Sequence, residues 1–532
     1  MKKYDAIIVG GGHNGLVAAA YLGKIGKSVL VLERRPVVGG AAVTEEIYPG
    51  FKYSVCSYVV SLLRPEIVRE LDLAAGGLEI IPLDTTFTPL PDGDYILRWS
   101  DRFKTRRELL RHSAIDAEAY ERYGTLMHQM ALATKPLLST KPPSISPLNV
   151  REIIKWLGVL RNWCRLGEET LYDIARLMTA SAADFLDEWF ETEPLKATMA
   201  ASGIIGTFMG PRSPGTAYVL LHHYMGEIDG VFRSWGFARG GMGSVSEAIA
   251  AAARRFGAEI RTEAQVERVL VSGGRAKGVA LAGGEELGAD VVISAVDPKR
   301  TFLGLLDDRD LEPSFAAQVR RIKMRGSSAK VNLALDRLPE FRSLPGDGPH
   351  LRGAISISPS IDYLERAYDD AKYGRYSRQP YLDIVIPSTI DPAMAPPGKH
   401  VMSVFIQYAP YHLKDTTWEQ ERERFGDNVI ETLSEYAPNL KKIVLHRQVL
   451  TPHDLEREFG LTEGNIFHGE LTLDQLFFLR PIPGWAQYRS PIKDLYLCGA
   501  GTHPGGGVMG AAGRLAAAEI LRDWSAGKIK RD

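Results

Sequence analysis

Ala6-Ile7-Ile8-Val9-Gly10-Gly11-Gly12-His13-Asn14-Gly15-Leu16 is the stretch on which the reading of this chain turns. Its first four residues are apolar, and three are β-branched, which suits a short buried strand. Gly10, Gly12 and Gly15 follow at the G-x-G-x-x-G spacing. Residues 16–25 then read as an Ala-rich helix ending near Gly26, and residues 28–32 as a second strand closed by Glu33. In that setting Gly10 permits a tight turn, Gly12 lets the backbone approach a pyrophosphate, and Gly15 lets the helix pack closely on the sheet. The helix start offers free N–H groups and the positive end of its dipole to phosphate. His13 and Asn14 lie inside this loop, beside the expected ligand. Glu33 accepts a hydrogen bond from a ribose hydroxyl. A glycine turn without a ligand leaves Glu33 unexplained.

Glu33 disfavours NADP, whose 2′-phosphate it would repel. The residues after it favour FAD. Arg34-Arg35-Pro36-Val37-Val38-Gly39-Gly40-Ala41-Ala42 brings a second glycine pair just beyond the acid, so backbone approaches another part of an extended ligand. Arg34 or Arg35 reaches phosphate or adenine; for one of the two, a solvated loop is the expected place.

The far end of the chain repeats the pattern. Residues 494–499 read as a strand, residues 500–510 (AGTHPGGGVMG) as a Gly-rich turn, and residues 511–524 as a helix. Gly501 belongs to this turn. Val508 and Met509 stand near the helix start, where N–H groups stabilise negative charge developing on a reduced flavin. A corner of small residues packed for its own sake is the competing reading.

The chain resembles the flavoprotein family of phytoene desaturases, carotenoid isomerases and retinol saturases. Within it, the match is closest to a pyridine nucleotide-disulphide oxidoreductase-domain subfamily. The matching stretches are GGGHNGLVAAAYL (10–22), ERRPVVGGAAVTEE (33–46), SLLRP (61–65) and LYLCGAGTHPGGGVMGAAGR (495–514), with FHG (467–469) and LDQL (473–476). The resemblance runs end to end. It implies an α/β fold: a Rossmann-like FAD-binding domain of the glutathione reductase type 2 class, with a discontinuous mixed α+β substrate domain. It also places Val266 beside the adenine through its backbone, and Ala295 and Asp297 near the rim. The disulfide chemistry in the subfamily's name finds no parts here, since no C-x-x-C and only one dinucleotide fingerprint are present.

The segments follow from this. Residues 258–261 read as a strand, 266–281 as a hairpin about Ser272-Gly273-Gly274, and 290–296 as a further strand. Ahead of them Arg239-Gly240-Gly241-Met242-Gly243-Ser244 leads into an Ala-rich helix; it resembles the Gly-Gly segment that passes the flavin ring in carotenoid desaturases, and a turn before a helix N-cap at Ser244 is the competing reading. The FAD-binding domain is therefore expected at 1–70, 236–300 and 485–525, and the substrate or lid domain at 71–235 and 301–484. Residues 135–147 are Pro/Ser-rich and read as a loop or lid boundary. Residues 150–165 carry an apolar stripe with two tryptophans and several basic residues. A core-packed helix and a peripheral membrane contact both account for that pattern.

Composition sets the outer limits. The chain has 532 residues, 64 Lys+Arg and 65 Asp+Glu, for a net charge of −1. At ~150 residues per domain, several domain-sized units fit. The balanced charge excludes a basic nucleic-acid footprint. Glycine, at 52 residues, stands above the usual ~7%. Cys56, Cys164 and Cys498 form no local pair, which fits a reducing compartment. No apolar run is long enough to span a bilayer, and no signal peptide is visible. The expected place is the cytoplasm, free or membrane-associated. No metal motif appears, and the adjacent His222 and His223 lack the i,i+4 spacing of a helical zinc pair.

The expected activity is hydride transfer between flavin N5 and a C–H or C=C of an apolar isoprenoid or lipid substrate, with quinone or oxygen as electron acceptor. A redox-neutral isomerase or a saturase on the same scaffold, a flavin-binding regulatory protein, and an amine oxidase are the alternatives. His503, in the C-terminal turn, and Arg239 are the candidate catalytic residues. Tyr53, Tyr58, His222 and Tyr224 are candidates for the tunnel wall.

Overall fold

The computed structural model describes residues 3–143, 161, 167–228, 230–232 and 234–529. The stripe at 150–165 falls almost wholly outside the described residues.

The decisive stretch folds as read. Strand Lys3–Val9 runs into helix His13–Lys24, and Val29–Leu32 returns parallel to the first strand. They lie in a seven-stranded sheet ordered Glu259–Arg261, Val29–Leu32, Lys3–Val9, Glu286–Ser294, Arg275–Leu281, Val266–Ser272. Glu286–Ser294 begins antiparallel to Arg275–Leu281 and ends with its last three residues parallel to Leu495–Leu497. The two chain ends and the middle segment thus share one sheet.

Residues 6–9, 29–32 and 291–293 are apolar because both faces of the sheet are covered there, whereas the outer strands Glu259–Arg261 and Val266–Ser272 carry exposed charges. Ala6, Ile8, Val29, Val31, Val291 and Ile293 face a core shared with helices His13–Lys24, Gly243–Arg255 and Ala511–Ser525. Ile7, Val9, Leu30, Leu32 and Val292 face the opposite core, with Phe302 and Phe315. Alanine and glycine on the helices allow close approach: a Cβ on Gly513 would lie 2.1 Å from the Asn14 carbonyl oxygen.

A second seven-stranded sheet is ordered Val444–Leu450, Ser328–Leu335, His400–Gln407, Tyr381–Val385, Ala354–Ile357, Thr85–Pro89, Tyr95–Trp99. Val331, Leu333, Leu382, Val404 and Ile406 pack one face against helix Trp418–Tyr436. Alternation along the strands sends Lys330, Phe405 and Asp383 to the other face. They form one cross-strand row, since Lys330 is opposite Phe405 and Phe405 opposite Asp383. A helical group, including Ala114–Leu138 and Thr216–Tyr224, packs nearby around Tyr123, Leu186 and Leu220.

Two local expectations are corrected. Lys135–Leu138 is not loop: it completes the helix Ala114–Leu138, with Pro136 tolerated in the last turn. Ser244 is not the N-cap: Met242 holds that position, and Ser244 Oγ donates to the Gly241 carbonyl at 2.8 Å, inside the first turn. Among the described residues no helix is long and apolar enough to cross a membrane.

Candidate active site

Parallel strands end together at one edge of the first sheet, and the glycine turns that follow them open a crevice there. A cavity of about 570 Å³ occupies this edge and continues to the polar face of the second sheet. Gly10, Gly12, His13, Asn14, Gly15, Glu33, Arg34, Gly39, Gly40, Ala41, Ala42, Val266 and Val508 all line it.

The first turn is built for a close ligand. Gly10 has φ +98°, a region that disfavours side chains. Gly12 faces open space, with no atom within 4 Å of where a Cβ would lie. At Gly15 a Cβ would fall 2.4 Å from the Gly10 carbonyl oxygen. Glu33 is buried; its Oε2 accepts from Gly11 N at 2.8 Å and its Oε1 from Arg35 N at 2.9 Å. Each oxygen keeps lone pairs for ribose hydroxyls. Gly39 N donates to the Gly11 carbonyl at 2.8 Å, tying the second glycine pair to the first loop. Arg34 donates to the Arg457 and Glu458 carbonyls at 2.9 and 2.8 Å, which fixes its stem along the wall.

Several expected site residues lie elsewhere. Arg239 is half-exposed and held by Glu79 through two bonds of 2.6 and 2.8 Å, a surface ion pair outside the cavity lining. His503 is buried but turned away from the lining: its Nε2 lies 2.8 Å from the Leu137 carbonyl. That oxygen only accepts, so Nε2 carries the proton. Burial lowers its pKa to about 4, so His503 is a neutral clasp between the C-terminal turn and helix Ala114–Leu138. Gly501 is a glycine because a Cβ would meet Pro298 at 2.4 Å; it is a packing corner. Met509 is buried, and its carbonyl accepts from Arg64 N at 3.1 Å. Neither Gly501 nor Met509 lines the cavity, whereas Gly506 and Gly507 do. Of the tunnel candidates, Tyr58 lines it; Tyr53, His222 and Tyr224 do not. His223 takes the place expected of His222, its ring 5.9 Å from Trp235, which also lines the wall. Ala295 lines the cavity, but Asp297 lies behind it, accepting from Arg300 N and Thr462 Oγ1.

The far part of the cavity holds a group that the sequence reading missed. Lys330 is 2% exposed, and its Nζ has no hydrogen-bond partner. It sits 3.9 Å from the centroid of the Tyr58 ring. Tyr58 Oη donates to Asp383 Oδ2 at 2.5 Å. Burial lowers the Lys330 pKa to about 7, against the opposing pull of Cys56 and Asp383. Burial raises Asp383 to about 6. Leu62, Phe405 and Ile466 make the surrounding wall apolar. Lys330 is the sole charge in the strand Ser328–Leu335 (SAKVNLAL), and that was the available signal.

Residues 165–521 match the model of the flavin containing amine oxidoreductase family, and residues 8–70 match an NAD(P)-binding Rossmann-like domain. The chain belongs to the flavin-containing amine oxidoreductase family. It is 44% identical over 544 residues to the "pyridine nucleotide-disulfide oxidoreductase domain-containing protein 2" of Rattus norvegicus, covering 98% of this chain and 94% of that one. A lycopene-forming phytoene desaturase of a Paracoccus species is 26% identical, with 97% of each chain covered. Putrescine oxidase bound to putrescine shares the fold, with a TM-score of 0.61 at 17% identity, covering 98% of this chain and 99% of that one. The fold is thus the Rossmann-like flavin domain joined to a larger mixed α+β substrate part. This flavin-containing amine oxidoreductase is an FAD-dependent enzyme. Its residues fit the cofactor: the Gly12 cradle is open, Asn14 Oδ1 and His13 Nε2 are buried without partners, and Glu33 stands ready for a ribose.

Proposed function

We propose that this oxidoreductase desaturates an apolar isoprenoid or lipid substrate. A hydride leaves one carbon, a proton leaves its neighbour, and a C=C bond forms between them. FAD held by the glycine loop and Glu33 would supply the hydride acceptor, with quinone or oxygen as the final electron acceptor. The observation that carries the reading is the position of Lys330: an unpartnered amine in an apolar wall of the cavity that also holds the glycine loop. Above about pH 7 that amine is neutral and accepts the proton. The Tyr58 ring faces the amine, and Asp383 accepts from Tyr58 Oη and anchors it. Phe405, Leu62 and Ile466 exclude water and match an apolar chain. The phytoene desaturase likeness favours an isoprenoid.

The test is the anaerobic visible spectrum during titration with NADH, NADPH and then isoprenoid or lipid donors. Bleaching by a lipid donor, with the unsaturated product recovered, supports the proposal. Stoichiometric bleaching by a nicotinamide, with lipids inert as donors, replaces it with a saturase or reductase.

A further inference from the structure

His13 Nε2, His468 Nδ1 and Arg300 Nε are all buried without hydrogen-bond partners, and all three residues line the same cavity. Polar nitrogens in a folded interior are normally paired. Three orphans in one cavity indicate a ligand that accepts from them. They come from separate parts of the chain. His13 opens the first helix. Arg300 follows the strand Glu286–Ser294. His468 sits in the turn after Gly464.

The three are neighbours in space. His13 feels the charge of His468, and His468 feels that of Arg300. Arg300, which opens the helical turn Arg300–Gly304, and His468 are both held in place. Arg300 packs with Arg34 about Gly460, and its Nη2 reaches the Glu456 carbonyl at 3.5 Å. Its Nε lies 3.6 Å from Asp297 Oδ2 and its Nη2 3.8 Å from Glu456 Oε1, ion pairs that orient the guanidinium without a hydrogen bond to Nε. His468 adopts φ +56°, and its turn is fixed on both sides: Asn465 Oδ1 accepts from Phe467 N and Gly469 N, while Arg480 donates to the Phe467 and Gly469 carbonyls.

We propose that Arg300 and His468 complete the binding site for the FAD pyrophosphate, facing the glycine loop and His13 across it. The pyrophosphate is the one anionic part of the dinucleotide. The helix start at His13 supplies N–H groups on one side, and a guanidinium supplies charge-assisted donors on the other. This inference rests on FAD as the cofactor and assigns its anion two side chains far from the fingerprint in sequence.

The experiment uses the full chain, stripped of flavin with KBr and titrated with FAD, with riboflavin, and with ADP as competitor of FAD. Arg300→Met keeps the apolar stem. Arg300→Lys keeps the charge without the fork. His468→Asn removes the imidazole with a residue that tolerates positive φ. Arg300→Met is expected to weaken FAD and ADP about tenfold or more, the loss of hydrogen bonds to a charged group. Riboflavin, which has no phosphate, is expected to bind as before. His468→Asn is expected to weaken FAD and ADP, and Arg300→Lys to recover part of the loss. Unchanged FAD and ADP affinity in Arg300→Met and His468→Asn, or an equal loss for riboflavin, overturns the proposal. Failure of the wild-type chain to bind FAD overturns the cofactor reading instead.

Discussion

Lys330 and His503 show how differently two buried basic side chains behave in one protein. Burial brings Lys330 to about pH 7, and the negative charge of Asp383 pulls its pKa upward. Oxidation by way of a neutral Lys330 predicts that kcat/KM rises as pH passes about 7. Lys330→Met is expected to abolish that rise and lower kcat by roughly 10²–10⁴-fold, the usual scale of general base catalysis, with the flavin spectrum intact. Asp383→Asn removes the charge that raises the amine's pKa, so the rise moves to lower pH. A Lys330→Met enzyme with the wild-type profile excludes the amine as proton acceptor. His503 bonds Leu137 and stays neutral through the same range. His503→Gln is therefore expected to lower Tm, at a cost of about 1 kcal/mol for the altered bond, and to leave the pH profile where it was. A lost pH limb in that variant would restore His503 to catalysis.

At the scale of elements, the strand–turn–helix at each chain end is the functional unit, and its glycines do two jobs. Gly12 leaves room for a ligand, whereas Gly15 leaves room for the protein itself. Gly15→Ala puts a Cβ against the Gly10 carbonyl, a backbone atom that cannot swing aside. Its expected cost is about 1–3 kcal/mol of overpacking, read as a lower Tm together with a lower flavin-to-protein ratio. Full flavin content at the wild-type Tm would show that the helix does not need this close approach. The same duality limits what can be read before folding. The first turn was legible because strand, glycines, helix and Glu33 lie within one local stretch. In the C-terminal turn, Gly501 and Gly507 look alike in sequence, yet one packs on Pro298 and the other lines the cavity. Lys330, Phe405 and Asp383 were not legible as a group, because their row depends on register among three strands, of which Ser328–Leu335 lies more than forty residues ahead of the other two. Arg300 and His468 were hidden because they lie roughly 290 and 455 residues beyond His13 in sequence and meet it only in the folded chain.

The whole molecule holds its cofactor edge by tying the C-terminal helix to its surroundings. Asp523, near the end of helix Ala511–Ser525, accepts from Arg489 Nε and Nη2 at 2.7 and 2.8 Å and from Tyr496 Oη at 2.8 Å. Glu519, one turn earlier, pairs with Arg489 and Lys141. The other end of this helix begins at the Gly506–Gly510 turn, so loosening the clasp loosens the cavity wall. Burial alone would raise the Asp523 pKa. The bonds from Arg489, Tyr496 and Lys528 outweigh it and bring the group to about 2, below its ordinary 3.8. A depressed carboxyl stabilises the fold above its unfolded pKa, and that contribution is lost as pH falls through the folded one. Stability is therefore expected to drop between about pH 4 and pH 2, with flavin released in the same range. Asp523→Asn lacks this contribution at every pH, so its Tm is lower at neutrality and falls less over that interval. Near-UV circular dichroism and flavin fluorescence, followed against pH for both chains, read the difference. Parallel curves would mean that the clasp does not couple acid to the cofactor edge, and that the helix is held by its alanine and glycine packing on helix His13–Lys24 alone.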